Sequence, residues 1–267
     1  MGGEKNRCDL LRVSKFLAHK IKTSKNISNF YLKLKKMMKK PYIKKFTEIA
    51  DIQVFLVDGN YVRKNIDEEF TNYGQHYLFK FIPKNEFWID NSREIGEEKY
   101  YIDSMLAMRR FLKSGLSHDE AVKKADAIER RERAKSIAMK KIIKIKDVEK
   151  IVEKIHKELL HNYKELKVWL IRGELVRDLF FLDFTEGGHD KVYSFVPKNE
   201  VWLEETIPKK EIKLILLHEI HERNLMIKGL SYDNAHKSAS KIEFHCRNHP
   251  KELNKKLEKE IKLIPQI

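Results

Sequence analysis

Apolar residues fall at two different spacings along the second half of the chain, and those spacings predict its elements. Within residues 147–164, Ile151, Ile155, Leu159, Leu160 and Tyr163 recur every three or four positions, the period of a helix with one buried face. Residues 134–150 either continue a preceding helix into this one or turn between the two. Val168 to Ile171 then reads as a short strand ending at Arg172-Gly173, with Leu175-Val176 opening the next. Glu186-Gly187-Gly188-His189-Asp190 is a turn, and Lys191 to Val196 alternates as a strand. Pro197-Lys198-Asn199 turns that strand back into Glu200 to Leu203, so a hairpin is expected. Two helices follow. The first starts near Pro208, runs to about Lys228 and stops at Gly229. The second has Ser231 as its N-cap and Asp233 complementing the helix dipole, and reaches about Asn248 before Pro250. The Lys/Glu-rich tail beyond reads as a short surface helix.

The same order of elements occurs twice. Sliding the sequence against itself brings Val54 onto Val168, and that shift holds without a gap as far as Arg133 and Arg247. Gly59 meets Gly173, Val62-Arg63 meets Val176-Arg177, Phe70-Thr71 meets Phe184-Thr185, and Gly74 meets Gly188. Pro83-Lys84-Asn85-Glu86-Phe87-Trp88 matches Pro197-Lys198-Asn199-Glu200-Val201-Trp202, and Gly115-Leu116-Ser117 matches Gly229-Leu230-Ser231. The predicted fold class is therefore α+β, a tandem duplication of a module with a helix, a small antiparallel sheet and two C-terminal helices. The divisions are a basic extension over 1–40, a first repeat over 41–134, a second repeat with its connecting helix over 135–250, and a tail over 251–267. Trp88 and Trp202 end matched strands and are assigned to packing.

Composition narrows the function classes. Cys8 and Cys246 cannot build a disulfide framework or a zinc ribbon, which points to a reducing, cytoplasmic setting. The longest apolar runs, such as Ile212 to Ile220, are short and interrupted by charge, so no membrane span is expected, and residues 1–22 do not read as a secretory signal. The charged fraction of 36% and only three glutamines (Gln53, Gln75, Gln266) follow heat-adapted usage. Of the net charge of +15, residues 1–50 carry most, with fourteen lysines and arginines against three acids. Such a segment, with Phe30, Tyr31 and Tyr42 near Lys33 to Lys45, can bind a phosphate backbone, or is a solvated helix face or extension.

Histidines and acids gather where the two copies differ. His218 and Glu222 stand one helical turn apart on the stripe of Leu214 and Leu225, which faces the interior. Their first-repeat counterparts are Ser104 and Met108, and His236 on the next helix corresponds to Val122. A position that takes Met in one copy is packed, and a lone carboxylate there needs a cation. His218, Glu222 and His236 are accordingly the candidate ligands of a divalent metal. Glu219 (Met105), His221 (Ala107) and His189 (Gln75) change as well, whereas Glu243 and Arg247 persist as Glu129 and Arg133. That persistence favours an i, i+4 salt bridge over a fourth ligand for Glu243. His189 follows two glycines and is open to either reading, loop residue or site residue. His156, His161, His245 and His249 read as surface residues.

The run Leu217-His218-Glu219-Ile220-His221-Glu222-Arg223, with Tyr232 to His236 and Glu243, resembles the active helices of zincin-like metallopeptidases over residues 217–243. Here the pattern is H-E-x-x-E, with a carboxylate in place of the second histidine. The resemblance implies zinc as the metal, Glu219 as the base for a zinc-bound water, and Arg223 or His189 stabilising developing charge. Glu219, His221, Arg223 and His189 are thus the candidate catalytic residues. Gly-Gly-His, Pro-Lys-Asn-Glu-Val-Trp and Tyr-Asp-x-x-Ala-His also resemble archaeal and phage-type proteins to which no activity is assigned. The expected function is a metal-dependent hydrolase of amides or esters. Its rivals are a nucleic-acid-binding protein acting through the basic segment and a homo-oligomeric assembly protein, each with a buried His/Glu network.

Overall fold

The computed structural model describes residues 41–92 and 96–265. The basic extension and its nucleic-acid reading lie outside the described residues. Each repeat forms a four-stranded sheet followed by helices, so the α+β duplication holds. The first repeat runs β1 (Tyr42–Ile49), β2 (Ile52–Val57), α1 (Gly59–Asn65), β3 (Tyr73–Gln75), β4 (Glu86–Asp90), α2 (Glu98–Lys113) and α3 (His118–Arg133). Two connecting helices follow, α4 (Ile137–Ile142) and α5 (Val148–Ile155). The second repeat then runs β5 (His156–Tyr163), β6 (Leu166–Ile171), α6 (Gly173–Leu179), β7 (Gly187–His189), β8 (Glu200–Glu204), α7 (Lys209–Ile227) and α8 (Tyr232–Asn248). A 3-10 turn and α9 (Leu253–Lys262) complete it.

The sheets are mixed rather than antiparallel. In the order β1-β2-β4-β3, the central pair β2 and β4 is parallel, with Val54 opposite Phe87, and the outer pairs are antiparallel. The second sheet repeats this order and register, Val168 standing opposite Val201. A parallel pair needs a crossover, and α1 or α6 supplies it. Leu175-Val176 therefore lies in a helix, not a strand. Gly173 opens that helix because a Cβ there would lie 2.3 Å from Glu204 Oε1, and Gly59 meets Asp90 in the same way.

Two further expectations change for related reasons. The helical period over 147–164 breaks at His156, where the chain becomes strand β5 paired to β6. This edge strand buries neither face, so its side chains carry no alternation to read. Lys191 to Val196 forms successive turns instead of a strand, with Val192 and Tyr193 N–H both donating to His189 C=O. The hairpin exists, but its first arm is the short β7.

Helix α7 is buried on nearly every side, from Leu214 to Asn224, because it lies between the sheet and both α8 and α9. Its C-terminus falls where expected, with Gly229 at φ 93°. Ser231 begins α8 in extended geometry without a side-chain cap bond, whereas its counterpart Ser117 forms a full capping box with Glu120. The tail is more than a surface helix: Leu257 and Ile264 enter the core around α7, beside Cys246. Trp88 and Trp202 are buried as expected, each donating its indole N–H to the matched Glu86 or Glu200.

Residues retained in both copies tie the repeats together. Glu97 is 1% exposed and accepts from Arg133 of its own repeat at 2.8 Å and from Arg177 of the other at 2.9 and 2.5 Å. Burial would raise the Glu97 carboxyl, but these two guanidinium groups hold it below its usual range. The counterpart Glu211 pairs with Arg247, and Arg63 reaches across to Glu186 at 3.2 Å. Ion pairs from each repeat to the other, Arg177 with Glu97 and Arg63 with Glu186, thus join the two copies.

Candidate metal centre

Helix α7 presents His218 and Glu222 on one stripe, and α8 brings His236 against them. All three donor groups lie within 4.8 Å of one another. His236 Nδ1 stands 2.7 Å and His218 Nε2 3.5 Å from Glu222 Oε2, and the two ring nitrogens are 3.2 Å apart. Bonds of about 2.0–2.1 Å at tetrahedral angles place neighbouring donors about 3.3 Å apart, so this triangle fits one face of a tetrahedral site. Two imidazole nitrogens turned toward one carboxylate oxygen need either N–H hydrogens or a metal ion between them. The cluster can therefore coordinate a divalent ion.

Each ligand is oriented from behind. His218 Nδ1 lies 2.9 Å from Glu243 Oε2. His189, on β7 and fully buried, reaches Glu222 Oε1 with Nε2 at 3.2 Å while its Nδ1 accepts the Lys191 backbone N–H. That acceptance places the His189 proton on Nε2, making it a donor to Glu222. His236 stacks on Tyr232, and its Nε2 lies 3.8 Å from Glu69 Oε2 in the first repeat. Backing groups of this kind fix the direction of a ligand's lone pair and raise its basicity.

The electrostatics follow from these contacts. Burial works against a charged His218, but hydrogen bonds to Glu222 and Glu243 override it and hold the ring protonated well above the ordinary histidine range. The hydrogen bond to Glu222 and the nearby Glu69 carboxylate raise His236 to about 9. Burial would raise Glu222, yet its three histidine partners keep it ionised well below the usual carboxylate range. Glu219 behaves oppositely. Burial pushes its carboxyl up to about 8, and it has no hydrogen bond among the described residues.

The cluster opens into a cavity of about 480 Å³ lined by Glu219, Tyr193, Tyr232, Ser240 and, from the first repeat, Glu68, Glu69 and Thr71. Gly187 forms part of its floor because a Cβ there would lie 2.9 Å from Glu219 Oε1.

No family model, curated protein or solved structure matches the chain.

Of the seven residues expected from sequence, the structure gathers His218, Glu219, Glu222, His236 and His189 around this cluster and places two elsewhere. His221 points between α8 and α9, with Nδ1 3.0 Å from Glu260 and Nε2 2.9 Å from Ser238. Arg223 is buried against Asp190 at 2.6 Å and Asn199 at 2.9 Å, clamping the loop between β7 and β8. Neither lines the cavity. Glu243 combines two roles: its Oε1 holds Arg247 at 2.6 Å, as the salt bridge predicted, and its other oxygen holds His218. Glu69 was missed. Nothing local marks a loop carboxylate that approaches the site only when the repeats associate.

In the first repeat the same place is filled with apolar packing. Ser104 and Met108 are buried, Met108 and Val122 belong to one apolar cluster, and Met105 enters another. This copy keeps the fold and the Glu129–Arg133 pair at 2.9 Å.

Proposed function

We propose that the second repeat is a metal-dependent hydrolase in which His218, Glu222 and His236 hold a divalent ion, with zinc preferred, and that its substrates are amides or esters. The observation that carries this reading is the triangle of donor atoms, each backed by a second group, at the edge of a cavity. Two imidazoles and one carboxylate with an open fourth position form a donor set of catalytic zinc sites. Such an ion supplies Lewis acidity toward a carbonyl oxygen and an activated water at neutral pH.

The protein groups supply the remainder. Glu219 lines the cavity beside the ligands and, once ionised, takes a proton from water and returns it to the leaving group. Positive charge at His218 and His236 works against the burial that raises its carboxyl. Glu243, His189 and Glu69 position the three ligands. Catalytic roles for His221 and Arg223 find no support, because each is committed to a structural contact away from the cavity.

A purely structural network is the second reading, favoured by the fact that protonated His218 and His236 satisfy Glu222 without a metal. Elemental analysis of the purified protein beside Glu222→Met, which copies the first repeat, separates the two. One metal per wild-type chain and none in the variant supports the hydrolase. A metal-free wild type whose melting is unchanged by zinc or chelator supports the network.

A further inference from the structure

The protein is strongly basic, with 55 lysines and arginines, yet among the described residues no lysine or arginine lines the cavity at the histidine cluster. Seven acids do: Glu68, Glu69, Asp183, Glu186, Glu219, Glu222 and Glu243. Three of them are neutralised locally. Glu186 pairs with Arg63, Glu243 with Arg247, and Glu222 with the histidines. Glu68, Asp183 and Glu219 have no cation within 4.0 Å among the described residues, and Glu69 has only His236 at 3.8 Å.

Their positions divide into rim and floor. Glu68 and Glu69 from the first repeat and Asp183 from the second are exposed at the mouth. Glu219 is 8% exposed at the floor, without a hydrogen-bond partner among the described residues. A buried carboxyl left unpaired in a cavity is costly unless something that enters there pairs with it. Tyr193, Tyr232 and Phe181 add aromatic faces, which attract ammonium and guanidinium groups. A volume of about 480 Å³ suits a ligand of one or two amino-acid residues.

We infer that the cavity receives a positively charged organic group, an ammonium or guanidinium attached to an amide, and that the degenerate first repeat serves recognition by contributing Glu68 and Glu69. This rests on the hydrolase reading for what happens to the amide, but not for the binding itself. Phosphodiesters and acidic peptides are disfavoured at the inner rim, where their charge meets Glu68, Glu69 and Asp183, while Lys237 and Lys241 lie on the outer side of Glu68 and Glu69. The duplication then has a chemical purpose: one copy builds the metal cluster, and the other supplies half of the charged rim.

Calorimetry with four small amides tests the inference on both zinc-treated and chelator-treated protein. Argininamide carries both charges, N-acetylargininamide only the guanidinium, citrullinamide only the α-ammonium, and N-acetylcitrullinamide neither. Argininamide should bind at least tenfold more tightly than N-acetylcitrullinamide, and the two singly charged amides show which cation the cavity reads. The double variant Glu68→Gln/Glu69→Gln should lose most of that preference in zinc-treated and chelator-treated protein alike. Glu68→Gln alone, at an exposed position away from the histidines, should keep its melting temperature and lose part of it. High salt should weaken the preference too, because the rim is exposed. Equal binding of charged and neutral amides overturns the inference, as does a preference that survives in the double variant. Stoichiometric metal without charge preference removes this inference and leaves the hydrolase standing. Charge preference in a protein that holds no metal does the reverse.

Discussion

Nδ1 of His218 lies 2.9 Å from Oε2 of Glu243, while the other oxygen of the same carboxylate holds Arg247 at 2.6 Å. In the first repeat Glu129 holds Arg133 in the same way, but Ser104 stands where the histidine would be. One ion pair common to both copies thus also orients a candidate metal ligand in the second, and the first serves as a control. Glu243→Gln should weaken zinc binding about 10- to 100-fold, the usual cost of losing a backing group, and should also lower stability because it neutralises a partner of buried Arg247. Glu129→Gln should leave zinc affinity unchanged. Competition titration against a chelator checks both, and equal effects would remove the orienting role.

Metal and protons compete for the same ring nitrogens. His236 is held protonated to about pH 9 in the metal-free protein. Because this folded value lies above the ordinary histidine range, the stability from its contact with Glu222 is complete below about pH 6.5 and disappears as pH rises through about 9. Zinc affinity runs the other way. With zinc buffered by a competing chelator, the dissociation constant should fall steadily from pH 6.5 to 8.5, and the melting difference between zinc-loaded and metal-free protein should widen. A pH-independent affinity would show that the rings do not titrate with the metal.

Glu219 costs stability in its present position. Its carboxyl is raised to about 8, chiefly by burial, so the folded state loses ground as pH climbs from the ordinary carboxylate range toward 8. Glu219→Gln removes the charge and keeps the shape. The metal-free variant should be more stable than wild type at pH 8 by about 1 to 3 kcal/mol, with the gap closing near pH 4, while hydrolysis is lost. Denaturant melts at the two pH values measure the gap. A variant that is less stable at pH 8 would contradict this account.

Glu97 is the most densely paired acid at the contact between the repeats. Removing its carboxylate with Glu97→Ala leaves Arg133 and Arg177 buried without their shared partner, and should cost about 3–5 kcal/mol. Double-mutant cycles with Arg177→Met should show strong coupling, since the second substitution removes one stranded charge. Additive effects would mean that the pair does not join the repeats.

Several of these features were legible in the sequence because they depend on local order. The shift between copies identifies the duplication, helical periodicity places α7 and α8, and spacing along α7 puts His218 above Glu222. The comparison of copies separates residues that build the fold, such as Arg63 and Arg177, from residues only the second copy has. Where local pattern failed, the deciding contacts were distant. The edge strand β5 carries no buried face to reveal it, and the parallel pairing of β6 with β8 joins segments separated by a helix and a hairpin arm.

The site divides along the same line. Sequence alone determined which histidines and acids are special to the second repeat, because ligand spacing within a helix is fixed by 3.6 residues per turn. Only tertiary structure decided that His221 and Arg223 face away from the cavity, that Glu243 serves both an arginine and a histidine, and that Glu69 approaches from the other repeat. A side chain's partner across a helix pair or between repeats is set by packing of elements far apart in the chain, and no local period encodes it.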